Sequence, residues 1–227
     1  MCDLSFETLL ISSSAENRWY PTPIETYKSS LKIDMDIENA PALLSNLAYN
    51  LQYIEFLEKE FAELHLSSVL HTMVIKSYVI TGMSILEGLF TNIIKSKGWW
   101  KTSRLESLGT TQSNKTGFSG QDFVIKTEIL KEVDTYMIKM DLDDQIKVLN
   151  KHHEALSVSH LVYPALKRLK ELRNRVHLQK LNGNTDHDYN AFNDSVKEEM
   201  GKILLDILTS PNITDKAEIF DFLKVNK

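Results

Sequence analysis

The chain has 227 residues, of which 42% are hydrophobic and 25% charged, and its formal net charge at pH 7 is −5. This composition excludes a fibrous or disordered chain, and the acidic balance disfavours nucleic-acid binding by the surface as a whole. The single cysteine, Cys2, excludes an intramolecular disulfide and a cysteine-built metal site. We therefore expect a cytoplasmic protein.

Glycine and proline are scarce, and leucine-type residues recur at spacings of three and four. This pattern predicts an all-α fold, a bundle of about five to seven helices. Residues 1–38 differ, because Thr8–Ser12 is a short apolar run and residues 31–37 alternate at period two. We expect an N-terminal arm over 1–38, with short β strands, and a helical domain over 39–227.

Two long helices should open the helical domain. Asn39 is a good N-cap with Pro41 in the first turn, which predicts a helix over about 40–64. A second helix should follow Ser68 and run to about Lys97. Its most apolar part, 73–90, is nearly long enough to span a bilayer, yet it contains Lys76 and Glu87, so we interpret it as a buried helix. A stripe of small side chains on this helix should allow close approach of another helix; it comprises Ser77, Thr81, Ser84 and Gly88.

The composition changes between 97 and 121, where Gly, Ser, Thr and Asn predict a long loop. Helical spacing then resumes. The predicted helices cover about 122–139, 142–153 and 159–181, then run from Thr185 or Asp186 to Thr209, with a short terminal helix from Thr214 to about Val225.

A strongly basic segment lies between Ala165 and Lys180. It has one acid, Glu171, against Lys167, Arg168, Lys170, Arg173, Arg175 and Lys180. On a continuous helix Arg173 and His177 are one turn apart, so their side chains could address one small site. An arginine that binds phosphate and a histidine that moves protons suit phosphodiester cleavage without a metal.

Leu172–Leu178, read LRNRVHL, resembles the signature of the HEPN superfamily, and Ser84–Phe90 resembles the second long helix of such domains. The resemblance covers about residues 40–210. It implies an α-helical, usually dimeric fold and often a metal-independent endoribonuclease activity, with two motifs facing each other across one RNA cleft. In the family four to six residues separate the arginine from the histidine, whereas three separate Arg173 from His177.

The resemblance implies a role for each motif residue. Arg173 would hold the scissile phosphate, His177 would act as acid or base, and Asn174 would orient the site. The expected RNA-binding residues are Arg168, Lys170, Arg175 and Lys180, and the expected supporting residues are Glu87 and Tyr189. We expect a homodimer that acts on RNA in a defence, toxin or stress role, with a protein partner such as an antitoxin. We expect no metal, cofactor, membrane association or DNA specificity.

The functional assignments also have less specific, structural alternatives. Arg173 could be a structural residue paired with Glu87, and the basic segment could be a solvated helix face. The short motif spacing favours a non-catalytic HEPN-like module that binds RNA or protein. Trp99 and Trp100 could close the end of a helix or anchor a partner. His152, His153, His160 and Glu154 could be ordinary surface groups or metal ligands, although their spacing matches no recognised zinc site.

Overall fold

A computed structural model of the chain describes residues 19–118, 121–177 and 187–224. These residues form two compact units. The helical unit comprises the chain up to Gly98 and from Leu142 onward, and the ribbon unit comprises Trp99–Asp141. The prediction of a mostly helical protein is confirmed, but the chain is not purely α-helical, because the ribbon unit is built of β strands.

The N-terminal arm contains a helix where strands were expected. Helix α1 spans Ile24–Ser30, and the β pairing of the following segment is a single bridge between Leu31 and Thr214. The buried side chain of Asn92 accepts a hydrogen bond from the Asp34 N–H (3.0 Å) and donates one to the Asp34 carbonyl (3.0 Å). The Asn92 side chain thus makes the hydrogen bonds to the Asp34 backbone that a second strand would otherwise have made. The apolar run Thr8–Ser12 lies outside the described residues.

The two long helices lie where the sequence places them. Helix α2 spans Ala40–Glu63 and α3 spans Ser68–Ser96. A side chain at Gly88 would begin 2.9 Å from Leu43 Cδ1 and 3.3 Å from Leu47 Cδ2, so the small residue allows the close approach predicted for it. Asn39 begins α2 with left-handed backbone (φ 65°) rather than as a side-chain cap.

Helix α3 is the centre of the helical unit. It is long and apolar enough to cross a membrane, but 56% of its most apolar window is buried inside the protein, as expected of a core helix. The elements that pack around it are α2, α4 (Leu142–Lys151), α5 (Val162–Arg173), α6 (Asp188–Ala191) and α7 (Asp194–Leu208). Two 3₁₀ turns follow α4 and α5, at His153–Ala155 and Asn174–Val176, and a third covers Ala217–Leu223.

The final long helix begins later than predicted. The side-chain oxygen of Asn193 accepts a hydrogen bond from the Val196 N–H (3.2 Å), which caps α7 at its first turn. The preceding residues form the separate one-turn helix α6. The predicted terminal α-helix is a 3₁₀ helix, which begins at Ala217 rather than at Thr214.

The ribbon unit replaces both the loop predicted for 97–121 and the helix predicted for 122–139. Strand β1 (Thr102–Gln112) pairs antiparallel with β4 (Lys126–Met137), and the short strands β2 (Thr116–Phe118) and β3 (Gln121–Phe123) pair with each other. The helix prediction is wrong because β4 carries apolar residues three and four apart that mimic a helical stripe. Its β-branched and aromatic residues favour an extended strand instead; they are Thr127, Ile129, Val133, Thr135 and Tyr136.

Candidate functional site

The candidate site lies at the end of α5, where Arg173 is paired with an acid of α3. The Arg173 Nη2 atom donates to Glu87 Oε2 at 2.7 Å, and the two side chains are 33% and 31% exposed. The pair is half-buried rather than sealed. A guanidinium carries five N–H donors on three nitrogens, so the contact at Nη2 uses only part of its hydrogen-bonding capacity.

The predicted continuation of α5 to about residue 181 is wrong at its described end. The α-helix stops at Arg173, Asn174–Val176 form a 3₁₀ turn, and His177 has extended backbone (φ −84°, ψ 103°). A 3₁₀ turn advances about 120° per residue instead of 100°, so residues four apart no longer share a face. The expectation that Arg173 and His177 lie one helical turn apart on the same face is therefore not supported by the backbone.

The structure places the three motif residues at different depths. Arg173 and Asn174 are half-buried, whereas His177 is exposed. The Asn174 carbonyl accepts a hydrogen bond from the His177 N–H at 3.4 Å, which closes the turn. The His177 side chain is therefore at the surface, four residues after the half-buried Arg173.

Lys170, expected to contact RNA, is already engaged with acids. Its Nζ atom lies 2.7 Å from Asp143 Oδ1 and 3.0 Å from Glu171 Oε1. Lys147 and Lys170 both donate to the Asp143 carboxylate, and these hydrogen bonds lower its pKa to about 2. Desolvation lowers the pKa of Lys170, but its hydrogen bonds to Asp143 and Glu171 outweigh that effect and raise the pKa overall.

The other residues expected to support RNA binding differ in their environment. Arg168 forms an ion pair with Glu199 of α7 and remains largely exposed. Arg175 is half-buried and also has an interaction partner. Lys180 lies outside the described residues. Tyr189 lies on α6 and is 56% exposed; the neighbouring Asp188 ties that helix to α3 through Lys76.

The histidines near the end of α4 lie close together. The ring centroids of His153 and His160 are 4.1 Å apart, and Glu154 lies 3.7 Å from the Nδ1 atoms of both His152 and His153. Within the described ranges, no set of three or more His, Cys, Asp or Glu residues has an arrangement that could hold a metal ion. Trp100, in the ribbon unit, donates its indole N–H to the Ile138 carbonyl at 2.9 Å, which gives this tryptophan a structural contact.

A second polar cluster went unpredicted. Glu58 accepts hydrogen bonds from the Tyr78 hydroxyl (2.6 Å) and the Lys197 ammonium (2.6 Å) beside a cavity of about 450 Å³ between α2 and α7. The ammonium also lies 4.9 Å from the ring centroid of Phe61. Burial, reinforced by the charge and hydrogen bond of Glu58, raises the pKa of Tyr78 well above its usual range. Sequence spacing gave no signal for this cluster, because Lys197 lies 139 residues from Glu58.

Comparison of the chain with protein-family models, with curated proteins and with solved structures gives no match.

Proposed function

We propose that the chain is a HEPN-like domain that cleaves RNA as a metal-independent endoribonuclease at the end of α5. The observation that carries the proposal is an arginine held in place by an acid of α3: Glu87 binds the guanidinium of Arg173 while a third of that side chain remains accessible. His177 is exposed, four residues further along the chain and just after the 3₁₀ turn. The LRNRVHL resemblance supplies the reaction class.

The proposed chemistry needs no group outside the chain and its RNA substrate. A 2′-hydroxyl of the RNA attacks the adjacent phosphorus, and the bond from phosphorus to the 5′-oxygen of the next nucleotide breaks. The products are a 2′,3′-cyclic phosphate and a 5′-hydroxyl. Arg173 stabilises the charge that develops on the phosphate oxygens. The 2′-hydroxyl loses a proton and the departing 5′-oxygen gains one, and the two copies of His177 in the proposed cleft act as base and acid for these two transfers. Asn174 orients the site, and Glu87 positions Arg173.

The proposal includes an assembly and a setting. Two copies of the motif would face each other in a symmetric homodimer, so that both contribute to one RNA cleft. The protein would act in the cytoplasm in a defence, toxin or stress role, held in check by a protein partner such as an antitoxin. The ribonuclease test below addresses the activity alone.

A second candidate is a non-catalytic HEPN-like module that binds RNA or a protein partner. Two observations favour it. Arg168 and Lys170 already pair with Glu199 and Asp143, which lowers the positive charge available for phosphate. The 3₁₀ turn separates Arg173 and His177 in angle, which weakens the case for a shared catalytic site.

The experiment that separates the two candidates measures cleavage and binding of single-stranded RNA in EDTA. We expect the wild-type chain to cut RNA to 2′,3′-cyclic phosphate ends and to leave a fully 2′-O-methylated strand uncut. Arg173→Ala and His177→Ala should each lower cleavage at least about 100-fold, in line with the loss of one acid–base or charge-stabilising group. His65→Ala, at an exposed histidine of the helical unit, is the matched control and should cut normally.

Each alternative outcome has a definite meaning. RNA binding without cleavage, unchanged in His177→Ala and steeply weakened by salt, would establish the non-catalytic module in place of the nuclease. Absence of both cleavage and binding would overturn the RNA proposal. Thermal unfolding of Arg173→Ala should accompany the assay, because this change also removes the partner of Glu87.

A further inference from the structure

The ribbon unit has the features of an incomplete β-sheet. Among the described residues its two long strands pair only with each other, and large apolar side chains are exposed along both. Ile129 and Leu130, adjacent in β4 and therefore on opposite faces, are 48% and 46% exposed. A two-stranded hairpin is marginally stable in water, and an open edge invites another strand.

The part of β4 best suited to pairing is its regular section. Lys126–Glu132 is paired at every residue of β4; the register shift opposite Ile129 and Leu130 comes from an extra residue in β1, Leu108, and a second shift lies beyond Glu132. Because β4 itself has no extra residue over these seven positions, they can form a second ladder on the free edge of the strand. The centre of this section is Ile129.

The two ends of the section carry opposite charges that the hairpin itself does not pair. Across the β1–β4 ladder, Lys126 faces Gln112 and Glu132 faces Leu105. By contrast, Lys131 of the same strand faces Glu106. Lys126 and Glu132 lie on the same face of β4, six residues apart, which is about 20 Å along a strand. They are too far apart to pair within one chain.

We propose that the free edge of β4 pairs antiparallel with β4 of a second copy of this chain, centred on Ile129, to form a four-stranded sheet. A twofold axis perpendicular to the sheet keeps each side chain on its own face, so one residue must lie opposite itself. With Ile129 at the centre, Lys126 of each copy lies opposite Glu132 of the other. Two charge pairs and one Ile–Ile pair result.

Neighbouring registers bring like charges together. Centring the contact on Glu128 places two carboxylates opposite each other, and centring it on Lys131 places two ammonium groups opposite each other. Centring it on Leu130 places Glu128 opposite Glu132. Like charges directly opposed destabilise a strand pair. Centring it on Thr127 pairs Lys126 with Glu128, but only three residues of the section then overlap. Charge complementarity and length of overlap together favour a second copy centred on Ile129, independently of the proposed RNA site.

Charge reversal in the full-length chain tests the register. Sedimentation equilibrium should show self-association of the wild type, and Lys126→Glu and Glu132→Lys should each raise the dissociation constant of the β4 contact by about 2- to 30-fold, because each change affects two symmetric pairs. The double variant should restore wild-type affinity. Glu128→Lys is the control for Glu132→Lys, since it makes the same charge change on the same face opposite Leu130, and it should not weaken the dimer.

A cysteine cross-link tests the geometry. In a Cys2→Ser background, Ile129→Cys should form an intermolecular disulfide under mild oxidation, since directly opposed residues lie within disulfide range. Thr127→Cys, on the same face but about 13 Å from its own copy in this register, should not. A monomeric wild type, or a dimer that ignores both charge reversals and leaves Ile129→Cys uncross-linked, would overturn the proposal.

Discussion

Arg173 and Glu87 meet at 2.7 Å although they lie 86 residues apart in the chain, and they join the end of α5 to α3. We expect Arg173→Ala and Glu87→Ala each to lower the free energy of unfolding by about 1–2 kcal/mol, a value reduced because both side chains are about one-third exposed. A double-mutant cycle in urea should give a coupling of about 0.5–1 kcal/mol. Additive effects of the two changes would show that the pair is not an energetic link.

A second prediction concerns the backbone of α7 beside the Glu58 cluster. A methyl group at Gly201 would lie 3.2 Å from the Tyr78 hydroxyl, which is buried and held by Glu58. Alanine normally stabilises a helix by about 1 kcal/mol over glycine. We expect Gly201→Ala to lose that gain and to destabilise the protein by about 1 kcal/mol, because the phenol cannot move away without breaking its hydrogen bond.

The same substitution should change sign when the hydroxyl is absent. In a Tyr78→Phe background, Gly201→Ala should stabilise the protein by about 0.5–1 kcal/mol, since the clash is removed and the helix preference remains. Chemical denaturation of the four variants measures both effects. An equal effect of Gly201→Ala in the two backgrounds would contradict the steric explanation.

A third prediction follows from the lowered pKa of Asp143. Its carboxylate has a pKa of about 2 in the folded chain, because Lys147 and Lys170 donate hydrogen bonds to it. A carboxyl pKa that falls on folding stabilises the fold above the unfolded pKa near 4, and this contribution disappears as the pH falls towards 2. Asp143→Asn should therefore cost about 1 kcal/mol at pH 7, allowing for solvent screening, and almost nothing near pH 2.

The control for Asp143 is Asp36→Asn, at an exposed aspartate, which should show no such pH dependence. Urea denaturation between pH 2 and pH 7 provides the measurement. A cost of Asp143→Asn that stays constant over this range would indicate that the side chain acts through packing rather than through its charge.

A fourth prediction concerns the buried ammonium of Lys76. Its side chain is 7% exposed and its Nζ atom lies 2.7 Å from Asp188 Oδ2. Asp188→Asn should cost about 2–4 kcal/mol, because it leaves a buried charge without its counter-ion. Lys76→Met, which removes the charge and keeps the volume, should cost no more than about 1 kcal/mol. Equal costs in thermal unfolding would argue that the ammonium is hydrated.

Local pattern predicted α2 and α3 well because the spacing of their apolar residues and their length both favour helices. It failed for β4, where β-branched residues coincide with apolar residues three and four apart. Nearly all of the ribbon side chains are exposed, so the alternation that identifies a half-buried strand is missing. Between Lys97 and Gln121 only the composition is informative, and it indicates a loop. The strand β4, which pairs with β1 to form the hairpin, lies outside this interval.

At the candidate site, the sequence indicated the Arg173–Glu87 partnership as one of two alternatives, because a carboxylate on a core helix requires a partner. It did not indicate the end of α5 at Arg173. The pairing of Arg168 with Glu199 and of Lys170 with Asp143 depends on how α4, α5 and α7 are placed in space. Such contacts follow from tertiary packing, which no local spacing encodes.

The ribbon is one unbroken stretch of chain, whereas the helical unit is assembled from segments on either side of it. During synthesis, α2 and α3 therefore leave the ribosome long before the helices that cover the rest of α3. The apolar surface of α3 stays uncovered while residues 99–141 are made, because α4, α5 and α7 are synthesised only after them. A chaperone that shields apolar helices should accordingly bind nascent chains in which α3 has emerged and release the chain once α7 has emerged and packed against α3.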